Sequence, residues 1–528
     1  MSKKVSRRDF ARATAAVGAA AVAIPNTLLG NSGAETTPFT SLSTTAMKGA
    51  AAARRRIVVP PGAGYGGEFA GDEYRDSISL AHTPAGHSNA TAALGAPAVA
   101  AQAAAPRDGA PMVIRGWREG TTIPAEYYVD DKHYPADERF MADHFWFMVD
   151  HESRIPKPGD YFVFKFGRGD SVVVLRDKAG AVKGYHNVCR HRGSRLCRHD
   201  DDPPVPKDAR LSVKQLGASG NTPVFRCPYH AWTYDLDGKL ISAPNGMPAD
   251  FDRSQNGLHP CHLRTVEGLI FVNLSFGEPP EFDEFVKNFA AVAKDYRTAH
   301  MKVAHRILYP TRANWKLALE NFQECYHCGP AHKSLVTAHP FWDGQMPAEQ
   351  RNRLEQQLER YALPPQAPAS GAQQGMATGA SRRFGGGVLN VGFTTGSLDG
   401  KPVAPLNPAL KESTHRSRIT NTGFMTSNLQ CYDDYIAMVR FTPRDVMSTD
   451  AEIVWLVNGD AKEGRDYKPD NVAALWHVTM LEDKWIVENN HQGILSGRYG
   501  AGRYAQTEGG PSRLVKWYMS EVLSAPRA

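Results

Sequence analysis

Two short stretches of this 528-residue chain constrain its fold more than any others: Cys189-Arg190-His191-Arg192-Gly193 and Cys227-Pro228-Tyr229-His230-Ala231-Trp232. Each supplies one cysteine and one histidine. Zinc fingers of the Cys2His2 type usually pair two cysteines in one loop and two histidines in the other. The mixed loops suit a two-iron cluster instead, with two thiolates on one iron and two imidazoles on the other. Such ligation raises the potential above that of an all-cysteine cluster. A zinc site on the same four residues is the alternative.

Around these loops the pattern is one of short strand-like runs, Tyr161–Phe166 and Ser171–Leu175, separated by Gly and Asp turns. With C-x-H-R-G and C-P-x-H-x-W in place, this part of the chain resembles a Rieske [2Fe–2S] domain. The resemblance implies that Cys189 and Cys227 bind one iron, and His191 and His230 the other. Thirty-five residues separate His191 from Cys227, more than the family usually shows. The excess, Asp200–Asn221, is polar and rich in Pro, Asp and Gly. It reads as a surface insertion that leaves the cluster intact. Cys197 falls off the ligand pattern and is expected as a packed core thiol.

A second block runs from Asn314 to His332. Trp315, Leu319, Phe322 and Tyr326 recur at helical spacing on one face, and Glu320, Glu324 and His327 on another. His327 and His332 would point apart on an unbroken helix, but Gly329-Pro330 is expected to break it there and let the rings converge. Two imidazoles and one carboxylate with open positions make the facial triad of non-haem Fe(II) oxygenases. The candidate carboxylate is Asp483, in a helix-like stretch from Asn471 whose stripe runs Val472, Trp476, Thr479, Asp483, Ile486 and Asn490. An Asp in a partly apolar stripe needs a partner, and a metal is one.

The two blocks together resemble the α-subunit of Rieske non-haem iron oxygenases over roughly residues 114–528. The implied fold class is α+β: an antiparallel-β Rieske domain followed by a catalytic domain with an antiparallel sheet covered by helices. The implied cofactors are the [2Fe–2S] cluster and a mononuclear Fe(II) on His327, His332 and Asp483. O2 is the implied co-substrate, with NADH or NADPH acting through a reductase or ferredoxin. Glu324 takes the place of the carboxylate that bridges this iron to a neighbouring subunit's cluster, which implies a homotrimer. Cys325 and Cys328 form a C-x-x-C inside the block and are expected to be packing residues.

Glu320-Asn321-Phe322-Gln323-Glu324-Cys325-Tyr326-His327-Cys328 resembles the subgroup that acts on quaternary ammonium compounds, such as glycine betaine and stachydrine demethylases and carnitine monooxygenase. His332-Lys333 departs from the His-Pro usual there. The implied reaction is N-demethylation, with hydroxylation or dihydroxylation of an aromatic or other ring as the alternative. An electron-transfer protein with an inactive second site is the reading from a different class. Phe341, Trp342 and Trp485 are candidate walls of a cation cage. Arg351–Arg382 reads as a variable lid or insertion, and unpatterned histidines such as His305 and His339 as structural or surface residues.

Hydrophobic content of 42% and charged content of 22% are ordinary for a globular chain and argue against a polytopic membrane protein. The net charge of +6 is misleading. Residues 1–56 hold nine Lys and Arg against Asp9 and Glu35, leaving the rest nearly neutral, so no nucleic-acid partner is expected. Arg7-Arg8-Asp9-Phe10 followed by a mildly apolar run to Ile24 resembles a twin-arginine export signal. That run is too short to be an integral membrane segment. The expected organisation is a signal over 1–34, an Ala/Gly/Pro-rich linker over 35–111, the Rieske part over 112–277 and the catalytic part over 278–528. The expected location is periplasmic, with the cytoplasm as alternative.

Overall fold

The computed structural model describes residues 113–340, 382–410 and 416–523, with two isolated helical positions at 352 and 356. The expected signal and linker, Phe341, Trp342 and nearly all of the 351–382 segment lie outside them.

Helix α1 (Tyr134–His144) leads into β1 (Phe147–His151), whose five residues are all buried. Strands β2 (Asp160–Phe166), β3 (Asp170–Arg176) and β4 (Val182–His186) follow as an antiparallel meander. Their Val, Phe and Tyr content suits a pleated, half-buried surface, and Gly167, at φ 53, makes the β2–β3 turn that a side chain would strain. Strand β5 (Ser219–Asn221) pairs with the free edge of β2, giving the order β4-β3-β2-β5. The stretch 200–217 before it lies mostly at the surface, as expected of an insertion. A second small sheet contains β6 (Phe225–Arg226), β7 (Thr233–Tyr234) and β8 (Leu240–Ser242). Tyr161, Val173, Leu175, Phe225, Trp232 and Tyr234 pack into one core together with Cys197, which is fully buried. Strands β9 (His262–Val266) and β10 (Leu269–Asn273) then form a third sheet with β1.

The C-terminal half is built on six antiparallel strands in the order β11-β16-β15-β14-β13-β12. These are β11 (Met301–Thr311), β12 (Arg382–Val388), β13 (Arg418–Gly423), β14 (Ser427–Cys431), β15 (Tyr435–Asp445) and β16 (Ser448–Asn458). Both faces are covered, because residues alternate across the pleat. One face sends Leu429, Ile436, Met438 and Leu456 against α2 (Phe282–Asp295). That helix buries Phe285, Phe289 and Val292 and is capped by Glu281, which accepts the N–H groups of Asp283 and Glu284. The other face sends Ala437, Ile453 and Trp455 toward α3 (Trp315–Phe322) and α6 (Pro469–Ile494). Two short helices, α4 (Cys328–Ala331) and α5 (Lys333–Ala338), follow α3, and α7 (Gly509–Trp517) packs behind it. This is the expected α+β architecture.

The buried stripe of α6 matches the sequence pattern at Val472, Trp476, Thr479 and Asp483 and then departs from it. Val487 and His491 are buried in place of Ile486 and Asn490. Two successive steps of four rotate the stripe toward the start of α3, where the Asn314 N–H donates to His491 Nδ1 at 3.2 Å. Among the described residues no helix is long and apolar enough to cross a membrane.

Candidate active site

Asn314 starts α3 by accepting the Lys316 N–H on its side chain at 3.0 Å. The helix ends at Phe322, earlier than the sequence pattern implies. The break therefore lies at Gln323–His327, while Gly329 and Pro330 sit inside the single turn of α4. Proline is tolerated in a helix's first turn, where its missing N–H would have no partner. As a result Tyr326 does not join Trp315 and Leu319 in the core but stands 60% exposed.

The break turns His327 and His332 toward each other and toward Asp483 on α6. His327 Nε2 is 3.1 Å from His332 Nε2 and 3.2 Å from Asp483 Oδ1, and His332 Nε2 is 3.0 Å from the same oxygen. Three ligand atoms held about 2.1 Å from one ion at right angles would be about 3.0 Å apart. The triangle thus has the size of one face of a metal coordination shell. A proton can join only two of these atoms at a time, whereas a divalent cation joins all three. The residues present fit a mononuclear Fe(II).

Each imidazole is oriented from behind by a carboxylate. His327 Nδ1 faces Glu324 Oε1 at 2.5 Å, and His332 Nδ1 faces Glu482 Oε2 at 2.8 Å. These contacts fix the tautomer that leaves Nε2 free for a metal. Burial opposes charge on His327, yet hydrogen bonds to Asp483 and Glu324 raise its pKa to about 9. Burial likewise acts against the Asp483 carboxylate, but the two histidines hold its pKa below the usual value. The site draws positive charge to itself. Glu324 was legible in the sequence and Glu482 was not. Cys325 and Cys328, expected as packing residues, are joined in a disulfide with Cα atoms 4.9 Å apart. The Cys328 sulfur lies near the two histidines, but in this state it offers no thiolate.

A cavity of ≈ 230 Å³ opens on the triad. Phe322, Leu335, Val388, Ile419 and Trp476 give it apolar walls. His339, which has no motif, also lines it and meets the Tyr432 hydroxyl at 2.9 Å. Burial lowers its pKa to about 4, so the ring is neutral at ordinary pH. Trp485, the expected cage wall, is 70% exposed instead, because it lies two residues beyond Asp483 on α6 and so faces away from the cavity.

The four Cys/His residues of the N-terminal half also converge. Cys189 and Cys227 are buried, and the Cys189 sulfur lies 3.2 Å from the Tyr234 hydroxyl. His191 and His230 lie toward the surface with ring centroids 4.6 Å apart. Trp232 stacks on His191 at 4.7 Å. Gly193, at φ 76, and Ala231, at φ 61, make the loop turns, the second against a side-chain penalty. His230 Nδ1 is buried without a hydrogen-bond partner among the described residues. Inward thiols, outward imidazoles and an orphaned ring nitrogen fit a [2Fe–2S] cluster at the tip of this domain.

Fold and sites together define an oxygenase in which a cluster-bearing β-domain serves a mononuclear iron under an antiparallel sheet. Residues 145–255 match the Rieske [2Fe-2S] domain, and residues 298–524 the ring hydroxylating alpha subunit catalytic domain. The chain belongs to the Rieske non-haem iron oxygenases and is homologous to their quaternary ammonium monooxygenases. It is 30% identical over 447 residues to the glycine betaine monooxygenase oxygenase subunit of Chromohalobacter salexigens, covering 82% of this chain and 92% of that one. It is 32% identical over 217 residues to the carnitine monooxygenase oxygenase subunit of Escherichia coli, covering 41% and 53%. Its fold resembles the crystal structure of the quaternary ammonium Rieske monooxygenase CntA, with a TM-score of 0.55 and 21% identity over 77% of this chain and 95% of that one.

Proposed function

We propose that this enzyme removes an N-methyl group from a small quaternary ammonium compound. The observation that carries this reading is the charge of the cavity. Its metal end gathers Glu324 and Asp483, with Glu482 behind His332, its walls include Phe322 and Trp476, and among the described residues no Lys or Arg lines it. Such a space favours a cation with apolar substituents. His327, His332 and Asp483 would hold Fe(II), and Cys189, Cys227, His191 and His230 the cluster. Bound there, these groups supply electron storage and O2 activation, with NADH or NADPH as ultimate donor through a reductase or ferredoxin.

In the balanced reaction, one oxygen atom of O2 enters a C–H bond of the N-methyl group. The other leaves as water, with two electrons and two protons from the donor. The N-hydroxymethyl ammonium then breaks its C–N bond, loses the hydroxyl proton and separates into formaldehyde and a tertiary amine. Within this reaction Glu324 and Glu482 keep both imidazoles aimed, and the apolar walls exclude water from the methyl group.

Residues 112–277 form the cluster-bearing part in this reading and 278–528 the catalytic part. A head-to-tail homotrimer places Glu324 between His327 and His230 of the partner subunit. Tyr229, beside His230, is 55% exposed, as are Tyr326 and Trp485 near the triad at 60% and 70%, which supplies apolar surface for such a contact. Arg7-Arg8 supports export by the twin-arginine route. The reading is tested by supplying reduced enzyme with trimethylammonium compounds and with arenes. Formaldehyde from the former supports it, and hydroxylated arene with no formaldehyde overturns it.

A further inference from the structure

Two neutral amides stand side by side in the cavity. Asn421 on β13 is directly opposite Gln430 on β14, and the same cross-strand row continues through Ala437 and Trp455. The latter two are fully buried and apolar, as this face of the sheet requires. Asn421 and Gln430 break that pattern at the cavity. On the far side of Asn421 the register places Gly385, which has no side chain of its own to offer.

Asn421 Oδ1 is buried with no hydrogen-bond partner among the described residues. Gln430 is 6% exposed and lines the same cavity. The other neutral polar groups lining the cavity are engaged. Asn321 Nδ2 lies 3.3 Å from His327 Nε2, Thr479 donates to the Leu475 carbonyl at 2.9 Å, and His339 holds Tyr432. A buried amide that bonds nothing carries a desolvation cost that a ligand can relieve. Rotating a carboxamide end for end exchanges its oxygen and nitrogen, so both residues can present N–H groups to the cavity.

We propose that Asn421 and Gln430 together bind the carboxylate of a zwitterionic substrate and so set its N-methyl end at the triad. This rests on the quaternary-ammonium reading and adds that the substrate is a betaine rather than an amino alcohol. Neutral donors suit the task in so small a space. An Arg or Lys in their place would pair with Asp483 or repel the onium group, whereas two amides satisfy carboxylate oxygens and add no charge.

The test compares a trimethylammonium carboxylate with the trimethylammonium alcohol of the same chain length. Dissociation constants are measured calorimetrically on the anaerobic holoenzyme, and formaldehyde release is measured alongside. Asn421→Leu and Gln430→Met remove the donors at nearly constant volume, and Gln430→Glu keeps the shape while adding a negative charge. Each substitution should lower the affinity ratio of carboxylate to alcohol by about tenfold or more, with iron content retained. An unchanged ratio in variants that keep both metals overturns the assignment. Failure of the wild type to release formaldehyde from any onium compound overturns the underlying reading, and with it this one, and is recognised from the wild-type arm alone.

Discussion

Glu482 Oε2 lies 2.8 Å from His332 Nδ1, one residue before Asp483, which approaches the opposite nitrogen of the same ring at 3.0 Å. One turn of α6 therefore both aims this imidazole and carries the carboxylate that would share its metal. Carboxylates behind metal-binding histidines raise ligand basicity and fix the ring, and losing one weakens metal affinity by about 10–100-fold. Glu482→Gln should lose mononuclear iron by that factor in a competition titration. The cluster absorbance should not change. Unaltered iron affinity would show that packing alone holds His332, which is 1% exposed.

Glu324 is a different case, because its carboxylate also accepts the backbone N–H of Tyr326. A glutamine can keep the His327 contact through its carbonyl oxygen. Glu324→Gln should thus retain about three irons per chain, two in the cluster and one in the triad. Single-turnover oxidation of the reduced cluster should slow by roughly a hundredfold, as misplacement in a preorganised site does. A wild-type rate in this variant would remove Glu324 from the path between subunits.

How much of this was legible beforehand depends on what ties each residue to its neighbours in sequence. The Cys189/His191 and Cys227/His230 loops declare themselves because cluster ligation needs those residue types two and three positions apart. Asp483 stood out as an acid in an apolar stripe. Glu482 had no such signal, since its side chain leaves the helix about 100° away from that of Asp483 and only the fold brings His332 to it. The helix breaks at Gln323–His327 and not at Gly329-Pro330, the stronger breaker by residue type, because proline fits the first turn of α4. Asn421 and Gln430 carry no motif; their pairing is a matter of strand register, which local sequence does not specify.

Behind α3, Lys316 Nζ lies 2.7 Å from Asp137 Oδ2, and the Trp315 indole N–H donates to the same oxygen at 3.0 Å. Both charged side chains are almost completely buried. Burial pushes the lysine pKa down, while the aspartate opposes that shift. Asp137→Ala leaves a buried ammonium without its counter-charge, which destabilises a fold by about 3–5 kcal/mol. Chemical denaturation should show that loss. A near-neutral change would mean that the ammonium finds water or deprotonates at little cost.

Glu320 gives the fold a pH dependence. Its two oxygens accept from Tyr128 and Tyr504, each at 2.7 Å, and burial raises its pKa to about 7 despite those bonds. The folded state therefore holds this proton more tightly than the unfolded chain, whose glutamate titrates near 4.3. The stability this contributes is full below the unfolded pKa and is lost as pH rises through about 7. Glu320→Gln, which never ionises, should gain in melting temperature relative to wild type as pH goes from 5 to 8. A difference that stays constant across this range would assign the shift elsewhere.

The Cys325–Cys328 disulfide closes around Tyr326 and His327, tying an exposed loop residue to a cysteine only 4% exposed. By restricting the segment between Glu324 and α4, it would limit how far His327 could leave the triad on losing a bound metal ion. The exposure of Cys325 makes the bond open to small thiols. In protein recovered from an oxidising compartment, alkylation and mass spectrometry should find these two cysteines linked and Cys197, Cys261 and Cys431 as free thiols. Reducing the bond, or replacing Cys325 with serine, should speed iron release to a chelator several-fold and leave the cluster spectrum intact. Equal release rates in the oxidised and reduced forms would show that α3 and α6 alone hold the loop in place.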